Sequence, residues 1–212
     1  MIYDFVVFDF GGVIFKPGLI GTGLLFSMLK ENGEFVNHEV LKDLVHRFDR
    51  GEFSESKFWR ELGIMDYEKL RKNLINTILL NIDPEFEQLE LALKGKVKLG
   101  IISNMPETWG DELLSSPFLK GAFDIEIISG KEGTSKPDEK IYDILIEKCG
   151  CDPKKILFID DKIKNLIPAH NKGIKTVWMI RTPKETPEYI PDYIISQLSQ
   201  IGILIEEQKK LL

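Results

Sequence analysis

The sequence predicts an α/β fold, a doubly wound parallel sheet carrying a small α-helical cap domain. Three observations predict it. Short β-branched and aromatic runs alternate with amphipathic helical segments. The runs are continuously apolar, as strands covered on both faces are. Residues 16–93, directly after the first run, carry helical patterns and no strand pattern.

The first run, Tyr3 to Phe8, ends at Asp9 and is followed at once by Gly11 and Gly12. Amphipathic spacing then predicts helices over Leu24–Leu29, Glu39–Phe48, Ser56–Leu62 and Tyr67–Leu80, with Ser54, Asp66 and Asp83 as N-caps or turn residues. Strands are predicted at Val97–Ile102, ending in Ser103-Asn104, and at Ile125–Ile128. Two more are predicted at Ile156–Ile159, ending in Asp160-Asp161, and at Lys175–Met179, ahead of Arg181. Helices over Asp111–Leu119, Glu139–Lys148 and Asn165–Asn171 lie between them, the last stopped by Gly173. A Pro-containing loop from Glu185 to Asp192, an edge strand Tyr193–Ile195 and a closing helix Leu198–Gln208 complete the chain. Residues 1–15 and 94–212 are thus expected to form the α/β core, and 16–93 the cap, over the C-terminal edge of the sheet where open α/β folds bind ligands.

Composition narrows the function. The chain has 212 residues, 43% of them hydrophobic and 29% charged, which suits a globular protein. Its net charge is −6, with 34 acidic against 28 basic residues and no basic block, so neither nucleic acid nor an anionic membrane is an expected partner. Cys149 and Cys151 are too close in sequence for an unstrained disulfide and too few for a zinc site. With no signal-peptide pattern and no apolar stretch of spanning length, a cytoplasmic location is expected, as a monomer or homodimer.

Four signals converge on one sheet edge: Asp9 in FDFGGVI, Ser103 in GIISN, Lys136 in GTSKPDEKIY, and Asp160-Asp161 in ILFIDDKIKN. Together they suit phosphoryl transfer. A carboxylate is a competent nucleophile toward phosphorus. The repulsion between two anions calls for Mg²⁺ held by carboxylates, and for a fixed lysine charge. A serine hydroxyl and backbone N–H groups at Gly11 and Gly12 can donate to phosphate oxygens. Each residue alone is ordinary: a strand-end Asp is usually a turn residue, and a Lys-Pro usually a solvated loop.

The order FDFGGV, ISN, KP, FIDD resembles the four motifs of the haloacid-dehalogenase superfamily of hydrolases, whose core is Rossmann-like. DRGEFSESKFW and PDYII resemble members whose helical cap follows the first strand. The resemblance implies a Mg²⁺-dependent phosphatase acting on a small phosphorylated metabolite, such as a sugar phosphate, through an aspartyl phosphate. It implies Asp9 as nucleophile and Ser103, Asn104, Gly12 and Lys136 as phosphate-binding groups. Lys136 also neutralises Asp9. The metal falls to Asp9, the Gly11 carbonyl and Asp161, with Asp160 a second or water-mediated ligand.

One position departs from the pattern. Most phosphatases of that family carry a second Asp two residues after the nucleophile, serving as general acid and base, and Gly11 stands there. Losing such a group costs roughly 10²–10⁴-fold in rate. A good leaving group, a cap residue or a bound water could make up the loss. The alternatives are a dehalogenase, a phosphonate hydrolase using a cap lysine such as Lys42 or Lys57, or a non-catalytic phosphate-binding regulatory protein. His38, His46 and His170 lack metal-ligand spacing, and Trp59, Trp109 and Trp178 are expected to pack. Arg47, Arg50 and Arg60 could reach from the cap to a second anionic group, but surface arginines are mostly solvated, and they are not counted among the site residues.

Overall fold

The structure, a computed structural model, describes residues 3–16, 21–181 and 189–210. Of the loop expected over Glu185–Asp192, residues 185–188 therefore lie outside the described residues. Strands β1 (Phe5–Phe8), β2 (Lys98–Ser103), β3 (Ile125–Ile128), β4 (Ile156–Asp160), β5 (Lys175–Met179) and β6 (Tyr193–Ile195) form one sheet. Their order is β3-β2-β1-β4-β5-β6, and every pairing is parallel. The winding reverses direction between β1 and β4, the switch point where α/β sheets open a crevice. Phe8 pairs with both Ile101 and Ile159, so Asp9 stands level with Asp160 and one step short of Ser103.

The strands are buried on both faces because their side chains alternate between two cores. Val6 and Phe8 face α5 (Pro84–Leu93) and α10 (Ser199–Lys210), through Phe86, Leu89, Ile201 and Ile205. Phe5 and Val7 face α8 (Glu139–Cys149) and α9 (Ile163–Asn171), through Ile141, Leu145, Leu166 and Ala169. Each such side chain contributes about 1.5–3 kcal/mol by leaving water. No helix was expected over Pro84–Leu93, but α5 forms there behind the N-cap Asp83. It packs against α10 and the sheet, with the Phe86 ring edge-on to Phe8 at 5.7 Å.

Four helices precede it: α1 (Gly21–Glu31), α2 (His38–Asp49), α3 (Glu55–Glu61) and α4 (Glu68–Leu80). Asn37 and Ser54 cap α2 and α3 through their side chains. Asp66 does not cap α4, whose N-cap position is Tyr67 with no side-chain bond. Two further differences are local. The helix expected from Asp111 begins earlier, as α6 (Glu107–Leu114), behind Pro106. It stops early because Ser116 precedes Pro117, and a residue before proline is pushed out of helical geometry. A single turn, α7 (Ser129–Glu132), and a 3₁₀ turn at Pro153–Lys155 are too short for periodicity to reveal.

The chain crosses between the two helical-and-sheet regions twice, and the crossings lie side by side. Asp83 N–H donates to the Ile14 carbonyl at 2.8 Å, and Lys16 N–H to Asn81 at 3.2 Å. Arg181, just beyond β5, clamps both. It pairs with buried Asp83 at 2.6 Å and donates to the Val13 carbonyl at 2.7 Å and the Gly12 carbonyl at 3.3 Å.

Candidate functional site

The parallel register brings Asp9, Lys136 and Asp160 into contact at the crevice. Lys136 Nζ lies 2.8 Å from Asp9 Oδ1 and 2.7 Å from Asp160 Oδ2. All three are buried, so each charge depends on the others. Burial pulls the Lys136 ammonium down, but Asp160 and Asp9 outweigh it and hold it above the ordinary lysine value. Burial pushes the Asp9 carboxyl up to about 7, against the pull of Lys136 and Lys162 and with Asp160 adding to the rise. Asp160 is held from every side: Asn165 Nδ2 donates to both its oxygens at 3.0 Å, and Lys162 N–H to Oδ1 at 2.8 Å.

Two expected phosphate contacts sit differently. Both ends of the Asn104 amide are committed to the Lys136 backbone. Nδ2 donates to the Lys136 carbonyl, and Oδ1 accepts the Lys136 N–H, each at 2.8 Å. Asn104 thereby fixes the lysine loop to the end of β2. The Gly12 N–H, expected to face a phosphate, donates instead to the Phe15 carbonyl at 2.8 Å. Gly12 has another role. Its φ is +79°, and a Cβ there would sit 2.5 Å from Asp161 Cγ, so only glycine lets Asp161 approach. Ser103 is buried, and with Gly11 it lines the cavity above Asp9.

Asp9, Asp160 and Asp161 each offer a carboxylate oxygen, all within 4.8 Å of one another. Three hard oxygen donors with no nitrogen or sulfur among them suit Mg²⁺ rather than a softer metal. The Asp161 main chain is steadied by Trp178, whose indole N–H donates to its carbonyl at 3.1 Å.

Above these residues lies a cavity of about 90 Å³, walled on one side by residues of α1, α2 and α4. Its wall is mostly apolar: Phe10, Phe15, Leu25, Val45, Leu74 and Trp109 line it. Four titratable side chains reach it, Asp9, Lys136, Lys162 and Asp49. Asp49, Lys162, Asn165 and Arg181 were not singled out from the sequence. Lys162 and Asn165 follow directly on the FIDD motif, and Asp49 lies in the DRGEFSESKFW stretch, so position beside a motif was their signal. Neither Arg47, Arg50 nor Arg60 lines the cavity; Arg47 and Arg50 pair with Glu52. Lys42 and Lys57 do not line it either.

A sequence model described as haloacid dehalogenase-like hydrolase matches residues 3–173. A pyrimidine 5'-nucleotidase of Escherichia coli is 26% identical over 97% of this chain and 99% of its own. A sesquiterpene phosphatase of Aspergillus oryzae is 26% identical over 79% of this chain and 85% of its own. The fold is also that of a haloacid-dehalogenase-family enzyme of Bacteroides thetaiotaomicron solved with magnesium and inorganic phosphate. That similarity has a TM-score of 0.72 and 21% identity, over 87% of this chain and 97% of that one.

Proposed function

The chain belongs to the haloacid dehalogenase-like hydrolases, and from that premise we propose that it is a Mg²⁺-dependent phosphatase of small phosphomonoesters. The observation that carries the reading is the packing of Asp9 against Lys136 and Asp160, with Asp161 beside them. Phosphatases among its relatives support it.

Asp9 is the nucleophile and Lys136 the fixed charge that lets one anion approach another. Attack by the Asp9 carboxylate on phosphorus breaks the ester bond and leaves an aspartyl phosphate. Water then releases phosphate and restores Asp9. Ser103 donates to a phosphate oxygen, and Asn104 acts indirectly, by holding Lys136. A Mg²⁺ ion would be held by Asp9, Asp161 and the Gly11 carbonyl, with Asp160 as a second or water-mediated ligand, and would supply charge neutralisation. In this reading the cap is α1–α4, and α5 belongs with the core.

The cavity wall bears on the substrate. A volume of about 90 Å³ is small beside the ~300–1,000 Å³ of sites for drug-sized ligands. Its wall has few groups to satisfy sugar hydroxyls, and buried hydroxyls without partners are costly. A compact ester with an apolar alcohol or aryl group fits better than a sugar phosphate. The test is phosphate release from p-nitrophenyl, phenyl, short alkyl and sugar phosphates, with Mg²⁺ and with EDTA. Metal-dependent release that disappears in Asp9→Asn is expected. Release that persists in that variant would overturn the reading.

A further inference from the structure

We propose that Asp49, at the C-terminal end of α2, performs the proton transfers for which Gly11 has no side chain. The inference rests on the phosphatase reading above.

The geometry is the first support. Among the described residues, the carboxyls lining the cavity are Asp9 and Asp49. Asp9 is bound to Lys136 and reserved for attack. Asp49 enters the cavity from the end of α2, an element apart from the sheet edge that carries Asp9, so it is placed to serve the leaving group while Asp9 meets phosphorus.

Its position is fixed through its backbone, which leaves its carboxyl for other work. Ser129 Oγ donates to the Asp49 carbonyl and accepts the Met105 N–H at 2.9 Å. Two residues on, Gly51 has φ +69°, and any Cβ there would collide with the Gly130 carbonyl oxygen. The end of α2 is therefore seated against α7 and the segment after β2, at the rim of the cavity. Glycine at position 51 is what allows this close approach.

The surroundings suit a proton carrier. Burial holds the Asp49 carboxyl well above the ordinary carboxylate range, and Lys162 opposes that rise. The charged groups facing it across the cavity are Asp9, Lys136 and Lys162. On α7, packed against α2, Lys131 is paired with Asp111 and Glu132 with Lys148. On α2 and just beyond it, Arg47 and Arg50 are paired with Glu52. The charged residues of α1 and α3 do not line the cavity.

The steps balance as follows. An Asp9 carboxylate oxygen bonds to phosphorus as the phosphorus–oxygen ester bond breaks. The electron pair of that bond goes to the leaving oxygen, and protonated Asp49 gives that oxygen its proton. The products are the free alcohol, an aspartyl phosphate and the Asp49 carboxylate. Asp49 then takes a proton from water as the water oxygen bonds to phosphorus. The bond to Asp9 breaks, its pair returns to the Asp9 carboxylate, phosphate leaves, and Asp49 is again protonated.

The test is leaving-group dependence, read in kcat/KM with Mg²⁺ present for the wild type, Asp49→Asn and Asp49→Ala. A leaving group that needs a proton suffers most without an acid. Phenyl phosphate should lose ~10²–10⁴-fold, the usual contribution of such a group, while p-nitrophenyl phosphate changes little. Because the second step also loses its base, the variants should show a burst of one p-nitrophenol per enzyme before a slow steady state. An equal loss on both esters, or no loss on either, overturns the proposal, and a distorted site falls under the first. A wild type inert toward every ester, with or without Mg²⁺, overturns the phosphatase reading itself. An active wild type with unaltered variants removes only the role of Asp49.

Discussion

Glu55 accepts the indole N–H of Trp109 at 2.7 Å, and this bond joins the first turn of α3 to α6, on opposite sides of the junction between the α1–α4 helices and the sheet. The same carboxylate accepts Thr108 Oγ1 at 2.7 Å and Arg71 Nε at 2.7 Å, with Trp59 Nε1 at 3.3 Å. Arg71 also reaches Glu112 of α6 at 2.5 Å. Around them Phe48, Phe58, Trp59 and Trp109 form one aromatic cluster, with ring centroids 4.6 to 6.5 Å apart in each contacting pair. One glutamate thus gathers four donors at the place where closure must be held. Glu55→Ala would strand two indole donors and half of the Arg71 charge. A loss of about 2–4 kcal/mol in unfolding free energy is expected, since stranded buried donors cost ~1–3 kcal/mol each and some regain water. Urea denaturation measures it. Tryptophan emission in the native variant should shift to the red as Trp109 becomes wetter; an unchanged spectrum and midpoint would show that the aromatic cluster alone holds the junction.

Arg181 holds the two crossings in a different way, as a planar fork on one carboxylate and two carbonyls. Arg181→Ala leaves Asp83 buried without its cation, and breaking such a pair costs about 3–5 kcal/mol. Arg181→Lys should recover little of it, because an ammonium on a flexible stem cannot match the fork. The comparison of the two variants by chemical denaturation is the check. Near-complete recovery by lysine would mean that charge alone, without the carbonyl contacts, accounts for the clamp.

These contacts also mark where the sequence was legible. Asp9, Ser103, Lys136, Asp160 and Asp161 could be found because four of them end or directly follow apolar strands, and parallel pairing brings such ends together. Helix α5 carried its own signals, Asp83-Pro84 and then Phe86, Leu89 and Leu93 at helical spacing. Which body it packs on is a tertiary fact, decided by Phe8 and α10 rather than by its own pattern. Arg181 was illegible for the same reason, and Asp49 offered only its place in the DRGEFSESKFW stretch. Nothing local distinguishes a helix-end aspartate over a cavity from one in solvent. Asn104 was legible as a residue of the site, but its bonds to the Lys136 backbone were not, because they depend on a donor and an acceptor that the fold brings to the right spacing.

That pair yields a prediction of its own. Asn104→Ala removes both bonds to the Lys136 backbone, and Lys136 must stand within 3 Å of two carboxylates at once. A displacement of an ångström in a catalytic group costs ~10²-fold. A fall of roughly 10–100-fold in phosphatase kcat/KM is expected, similar on every ester, because the lysine acts on the phosphoryl group and not on the leaving group. A loss confined to esters with poor leaving groups would contradict this division of labour.

Asp49 should leave a mark on stability as well as on rate, and the sign follows from its burial. Its carboxyl is held above the ordinary range in the folded chain, so the folded state binds that proton more tightly than the unfolded state does. The stability this provides is complete below the unfolded value of about 3.9 and is lost as pH rises through the folded value. Asparagine fills a similar volume and does not ionise, so Asp49→Asn escapes that loss. The variant's unfolding free energy relative to wild type should therefore grow as pH rises above the unfolded value of about 3.9 and on through the folded one. A parallel pair of stability–pH curves would mean that Asp49 ionises as easily folded as unfolded. A difference that widens toward alkaline pH, in a variant slow on phenyl phosphate, would indicate that stability is spent to keep a proton at the cap wall.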